Sequence, residues 1–353
     1  MPFRRPLLRG MSLAVLLFCG VLVLSACSTS MPMSTVDPQG NQAQNIQDLL
    51  FPLLWAGLGV FIVVEGILVY SVIRYRRKKN TGIPAQVHGN MRVEVLWTIA
   101  PALIVLVIAI LTFQTQRINA DLVGIEDALQ IKATGYQWWF EFEYPDQGIE
   151  TATDMYIPVG RDIVVELHAE DVMHNFWVPK LAGKTYMIPN NVNRMGFRAD
   201  EPGIYRGQCA EFCGESHAQM GFRVIAVSQE AFDQWLAVKQ IPPEIPAGDA
   251  QEGIEVFSAR GCISCHVVDG NDQAVGQLGP NLTYYKDRTT VASGTLPNTE
   301  ENLAAWLRDS EAIKPGNLMA GAIQQGMLSE EEIADLIAYL YSMETSVERP
   351  EVR

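Results

Sequence analysis

Positive charge is scarce in this chain. Its 353 residues hold 26 Lys and Arg against 40 Asp and Glu, a formal net charge of −14. That sign repels a phosphate backbone and excludes nucleic acid as a partner. Cysteine is scarce too: six residues are too few for a disulfide scaffold in a chain this long, so their positions matter more than their number. There is no internal repeat. What the chain has in excess is apolar sequence, 48% of its residues, and most of that excess lies before residue 115. The length suggests two or three structural units.

Residues 1–26 read as a signal peptide of the lipoprotein type. Arg4, Arg5 and Arg9 make a basic start, and Leu13 to Leu24 make an apolar stretch too short for a membrane span. Leu24-Ser25-Ala26-Cys27 resembles a bacterial lipobox, in which the peptide is cut before the cysteine and the cysteine is lipidated. Cys27 is therefore the lipidation candidate, a plain signal with an incidental cysteine being the alternative. Cys19 would leave with the signal.

Within residues 27–118 lie two longer apolar stretches, about 49–73 and 93–115, each able to cross ~30 Å of hydrocarbon as a helix. Between them stands the basic run Arg74 to Lys79, with Arg92 further on, whereas no Lys or Arg occurs from 27 to 50. The positive-inside rule puts that loop in the cytoplasm and everything after 115 on the outer face. The expectation is a multi-pass protein of a bacterial plasma membrane: a two-helix transmembrane hairpin carrying a large exported part. Glu65 and Glu94 are acids at or near membrane depth, where exposure to lipid is costly. Glu65 is expected to pack on another subunit, and Glu94 to sit at the cytoplasmic end of its helix.

Beyond residue 118 there are 16 basic and 36 acidic residues. This is either a solvated surface or a field that steers a basic electron carrier. From Ile131 to Val227 the pattern is of short β-like runs, such as Tyr136 to Tyr144, Asp162 to Leu167 and Phe222 to Val227, broken by Pro and Gly. That spacing predicts an all-β sandwich or barrel over 119–237. Residues 238–250 are a Pro-rich linker. The pattern over 251–345 is helical, with Ser329 and Glu332 placed as a capping box. Residues 346–353 form a tail.

Two constellations carry chemistry. Residues 209–220 read Cys-Ala-Glu-Phe-Cys-Gly-Glu-Ser-His-Ala-Gln-Met, placing Cys209, Cys213, His217 and Met220 within twelve residues. Thiolate, imidazole and thioether together point to copper, and cupredoxins complete such a loop with a distant histidine, for which His174 is the candidate. Two thiolates can bridge two copper ions that share one unpaired electron. The alternatives are a Cys209–Cys213 disulfide, a copper chaperone on a thioredoxin fold, and zinc. The second constellation is Cys262-Ile263-Ser264-Cys265-His266, a Cys-x-x-Cys-His site for covalent c-type haem with His266 as axial ligand. The opposite axial ligand should be a methionine some 40–60 residues on; Met319 fits and Met327 is the alternative.

The first loop resembles the binuclear copper A loop of cytochrome c oxidase subunit II, and the likeness runs from about residue 45 to 235. The resemblance implies an all-β cupredoxin domain. In it Cys209 and Cys213 bridge two coppers, His174 and His217 bind one each, Met220 is a weak ligand, and the carbonyl of Glu211 is the last ligand. It also implies a magnesium bound by the Glu211 side chain at the subunit I interface, Trp138 as the aromatic that receives electrons, and Glu94 at the mouth of a proton path. Where the family usually has Lys-x-Asp, this chain has Lys184-Thr185-Tyr186, which bears on the magnesium and not on the copper. Residues 251–345 resemble an all-α class I cytochrome c, with Gly279-Pro280-Asn281 as the loop that holds the haem histidine. Together these imply subunit II of a proton-pumping caa-type haem–copper oxidase. Its partners would be subunits I and III and a donor that is a cytochrome c or a small copper protein. The competing expectation is a membrane-tethered electron carrier or copper-handling protein that works without an oxidase.

Overall fold

The computed structural model describes residues 31–76, 86 and 89–345. The signal peptide, Cys27 and the 346–353 tail therefore lie outside the described residues.

Two long helices come first, α1 (Asn41–Arg74) and α2 (Met91–Asp121). Each contains a window of mean hydropathy above 2, and a helix is the structure in which such a segment pairs all its backbone polar groups internally. Both run past the apolar stretches read from the sequence. At 34 residues α1 is about 51 Å long by its rise per residue, well beyond the hydrocarbon thickness. The extra turns are polar and make contacts beyond the apolar stretches. Asn45 of α1 donates from Nδ2 to Asn119 Oδ1 of α2 at 2.8 Å, closing the end of the hairpin opposite the 75–90 connection. Gln42 Nε2 donates to the Gly196 carbonyl at 3.0 Å, and its Oε1 accepts from Gly183 N at 2.8 Å, so α1 is seated on the part that follows the hairpin.

That part begins with ten strands: β1 (Leu129–Tyr136), β2 (Trp139–Tyr144), β3 (Ile149–Ala152), β4 (Asp154–Pro158), β5 (Ile163–Ala169), β6 (His174–Trp177), β7 (Lys184–Met187), β8 (Asn193–Phe197), β9 (Gly203–Cys209) and β10 (Gly221–Val227). They form two five-stranded sheets, ordered β3-β2-β1-β5-β8 and β4-β10-β9-β6-β7. Burial alternates strictly along β2, as a strand with one face on a core requires. The core between the sheets is aromatic: Phe222 lies 4.7 Å from Phe140 and 4.6 Å from Phe176, ring centre to ring centre. The run Tyr136 to Tyr144, read as one β-like stretch, is two strands of a hairpin whose turn is Gln137-Trp138. Helix α3 (Gln229–Lys239), capped by Ser228, extends the sandwich beyond residue 237 and closes it with fully buried Trp235 stacked 4.7 Å from Tyr156.

After the Pro-rich segment come α4 (Asp249–Ala259), the ribbon β11 (Thr290–Val291) and β12 (Leu296–Pro297), then α5 (Glu300–Arg308), α6 (Ser310–Ile313), α7 (Leu318–Ala322) and α8 (Glu330–Tyr341). Ser329 and Glu332 form the capping box of α8. Helices α4 and α8 cross at Gly253, where a Cβ would meet the Asp335 carbonyl and lie 2.6 Å from Tyr339 Cβ. The crossing sets the frame in which the short loops of this domain hang. Gly253→Ala is expected to overpack it by about 1–3 kcal/mol. Calorimetry should show the helical domain melting earlier, with the transition of the sandwich unmoved.

Candidate copper and haem centres

The loop from Cys209 to Met220 joins the antiparallel neighbours β9 and β10, and its ends are tied by Cys209 N donating to the Met220 carbonyl at 3.0 Å. His174 opens β6, which pairs with β9, so the fold carries the remote histidine to the loop. All six expected copper-site residues meet here. The Cys209 and Cys213 sulfurs are 3.8 Å apart. Cys209 Sγ lies 3.9 Å from His174 Nδ1 and 3.2 Å from the Glu211 carbonyl oxygen. Cys213 Sγ lies 3.5 Å from His217 Nδ1 and 3.7 Å from Met220 Sδ. His174, Cys209, Cys213 and Met220 are buried, and both cysteines are free thiols, so the disulfide alternative does not describe this fold.

The donor set fits a metal pair. Proximity of the two sulfurs pulls Cys209 down to about 4 through the hydrogen bond from Cys213, burial opposing, while the same neighbour and burial push Cys213 up. Two thiolates at this distance do not both ionise unless cations stand beside them. His174 Nε2–H donates to Asp171 Oδ1 at 2.8 Å, which turns Nδ1 toward the sulfurs. Burial alone would depress His174, but the bonds to Asp171 and Cys209 raise it; burial likewise works against the Asp171 carboxylate, and His174, Val172 N and Gln137 N outweigh it and lower its pKa. Gly135 leaves room for the ring: a Cβ there would lie 2.9 Å from His174 Cδ2.

Trp138 stands against the same loop. Its Nε1 donates to the Cys213 carbonyl at 3.1 Å, beside Gln137 Nε2 at 2.6 Å. Its ring is only 8% exposed because the segment Lys314-Pro315-Gly316 of the helical domain covers it: a Cβ on Gly316 would lie 3.0 Å from Trp138 Cη2.

In the helical domain Cys262 and Cys265 are half-buried, and burial pushes the Cys262 thiol up to about 11. His266 Nδ1–H donates to the Pro280 carbonyl at 2.8 Å, leaving Nε2 free for a metal. Burial lowers its pKa, and the bond to the Pro280 carbonyl opposes the shift. A Cβ on Gly279 would lie 2.5 Å from His266 Cε1. Met319 is half-buried against the helical core, whereas Met327 is exposed. Val275, Leu278 and Leu318 are exposed apolar residues of this domain. Glu94 lies at the far end of α2, where its carboxylate accepts from Asn90 N at 3.0 Å.

Comparison with known proteins matches the transmembrane domain of cytochrome c oxidase subunit II to residues 28–115, its periplasmic domain to 147–227, and cytochrome c to 250–344. A cytochrome c oxidase subunit 2 of Alkalihalophilus pseudofirmus is 40% identical over 91% of this chain and 94% of its own length. The chain belongs to the cytochrome c oxidase subunit 2 family. The subunit 2 of Bacillus subtilis is 35% identical over 93% of this chain and 96% of its own. The crystal structure of the periplasmic domain of subunit II of the Bradyrhizobium japonicum oxidase is 32% identical, covers 33% of this chain and 96% of its own, and has a TM-score of 0.32. As a subunit II, the chain is an electron-transfer member of a membrane-anchored haem–copper oxidase complex, with a periplasmic domain. Its two exported domains imply copper A and haem c. The competing carrier that works without an oxidase is set aside, since subunit 2 relatives match along nearly the whole chain.

Three residues of this region were given no role from sequence: Asp171, Ser216 and Lys314. Asp171 is the most direct to test. Asp171→Asn is expected to weaken copper retention about 10–100-fold while the sandwich stays folded. Competition with a chelator reads this, and retention equal to the parent chain would show that the bond to His174 does not orient the ring.

Proposed function

We propose that this chain is the subunit II of a proton-pumping cytochrome c oxidase of the bacterial plasma membrane. Electrons would arrive at its haem c, pass to its copper A centre, and leave for the haem–copper site of subunit I, where O2 is reduced to water. The observation that carries this reading is the contact between the two centres' loops. The Pro315 carbonyl accepts from Ser216 Oγ at 2.7 Å, and Ser216 lies in the copper loop between Cys213 and His217.

On this reading Cys209, Cys213, His174, His217, Met220 and the Glu211 carbonyl would hold the coppers, the two thiolates being shared between them. When bound, the copper pair supplies one-electron redox chemistry with little change of geometry. The surrounding residues hold that geometry: Asp171 orients His174, the aromatic core excludes water, and Trp138 receives electrons. Cys262 and Cys265 would carry the haem, His266 and Met319 would be the residues that ligate it, and the Pro280 carbonyl fixes the His266 imidazole.

Glu94 is proposed as the mouth of a proton path, at the cytoplasmic end of a hairpin that spans the membrane twice. A magnesium at the Glu211 carboxylate is proposed with its remaining ligands from subunit I; Glu211 is not in the cluster of metal-ligating side chains found among the described residues. Cys27 is proposed as the lipidation site. Subunits I and III would flank the hairpin, and the donor would be a cytochrome c or a small copper protein drawn to an acidic surface.

Metal analysis and EPR of the full chain, expressed in a host that matures c-type haem, test the assignment. About two coppers per haem, with hyperfine structure from one electron shared by two nuclei, are expected; one copper or none would contradict it. Deleting residues 240–353 is expected to leave the copper spectrum intact and slow turnover with the native donor about tenfold or more, by loss of the tethered haem's effective concentration. Unchanged turnover would show that the fused haem is not where electrons come in.

A further inference from the structure

The seam between the two exported domains contains a group that neither centre needs for ligation. Lys314 is 4% exposed, and its Nζ donates to the Trp138 carbonyl at 2.5 Å and the Ala292 carbonyl at 3.1 Å. Both acceptors are neutral, so the ammonium is buried without a bonded carboxylate. Burial of an unpaired cation is costly and shifts its pKa downward, here to about 7, so the side chain is charged below that pH and neutral above it; negative charge at Cys213 opposes the shift once that thiol is ionised.

Three bonds bring this segment onto the copper loop: Lys314 Nζ to the Trp138 carbonyl, Ser216 Oγ to the Pro315 carbonyl, and Gln219 Nε2 to the Ile313 carbonyl at 2.7 Å. Asn317 then locks the segment to α7. Its Nδ2 donates to the Lys314 carbonyl at 2.7 Å and its Oδ1 accepts from Ala320 N at 2.9 Å. Met319 lies between those two anchor points. On the other side, the Trp138 indole donates to the Cys213 carbonyl. A continuous path of covalent and hydrogen bonds thus runs from Met319 through Lys314 and Trp138 to the copper loop.

We propose that Lys314 is a positioning residue for electron transfer between the domains: it docks the Met319 loop on Trp138, and in its protonated form its buried charge favours the reduced copper centre. The inference rests on the copper and haem assignments above. The transfer takes one electron from the haem and gives it to the copper centre, with no bond made or broken. A cation in a dry seam acts at longer range than one in water, and it stabilises whichever neighbouring state is more negative.

The test uses the full chain with both centres loaded, as Lys314→Met and Lys314→Gln, after copper and haem content have been measured. In Lys314→Met, electron transfer from photoreduced haem to copper should slow tenfold or more. At pH 6, where Lys314 is charged, the equilibrium share of the electron should move about tenfold toward the haem, which for a one-electron couple is about 59 mV in the difference of potentials. Amide exchange at 313–320 and 136–139 should quicken, in metal-free protein as well. Lys314→Gln keeps a donor and loses only the charge, so it should show the equilibrium shift with less slowing; it carries the test if the methionine variant does not fold. Intact centres with rate and equilibrium both within twofold of the parent would overturn the role of Lys314. A parent chain that lacks copper or haem would instead overturn the assignments beneath it.

Discussion

Two thiols held 3.8 Å apart in a water-excluded loop are the constraint on which this molecule is built. Their charges cannot coexist without cations, and their spacing must survive a change of one electron. The sandwich meets both requirements. Antiparallel β9 and β10 pin the two ends of the loop, β6 delivers His174 from 35 positions upstream, and the Phe140–Phe176–Phe222 cluster keeps the interior dry and rigid. Asp171 fixes the imidazole from behind. The copper loop is thus a preorganised pocket rather than a flexible chelate.

The second domain is arranged around the first. Besides the Lys314 segment, Thr289 donates through N and Oγ1 to the buried Asp154 carboxylate at 2.6 and 2.7 Å, and Gly221 N pairs with the Ser293 carbonyl at 2.9 Å. Burial raises the Asp154 pKa and these bonds oppose it, a balance suited to a seam that stays shut. The Pro-rich stretch does not dangle: Tyr284 OH donates to the Ile241 carbonyl at 2.6 Å. A fused cytochrome fixed in this way presents one face to Trp138, and the Trp138 ring is covered by it. On the proposed reading, electrons bound for copper would be led through the fused domain.

Much of this was legible in the sequence, for a physical reason. Soft ligands cluster within twelve residues because one tight loop supplies them, and the haem cysteines are three apart because both must reach one porphyrin. The membrane helices declare themselves by length and hydropathy, and Ser329 with Glu332 announces α8. Other features were hidden because they depend on tertiary placement. The turn at Gln137-Trp138 sits inside a run of strand-forming residues, and only the β1–β2 register reveals it. Helix α3 has a weakly amphipathic sequence and is held by what Trp235 touches. Lys314, in a Lys-Pro-Gly turn, reads as a surface lysine; burial against a carbonyl 176 positions away cannot be seen from local pattern.

The central claim is that electrons pass in series, from haem c through the seam to copper. Rapid mixing of the oxidised full chain with a small amount of reduced donor, following the haem and copper bands separately, tests it most directly. The account predicts that the haem band changes first and that copper reduction follows at the rate at which the haem reoxidises. Copper reduced before the haem, or in parallel with it at a rate set by donor concentration, would contradict it.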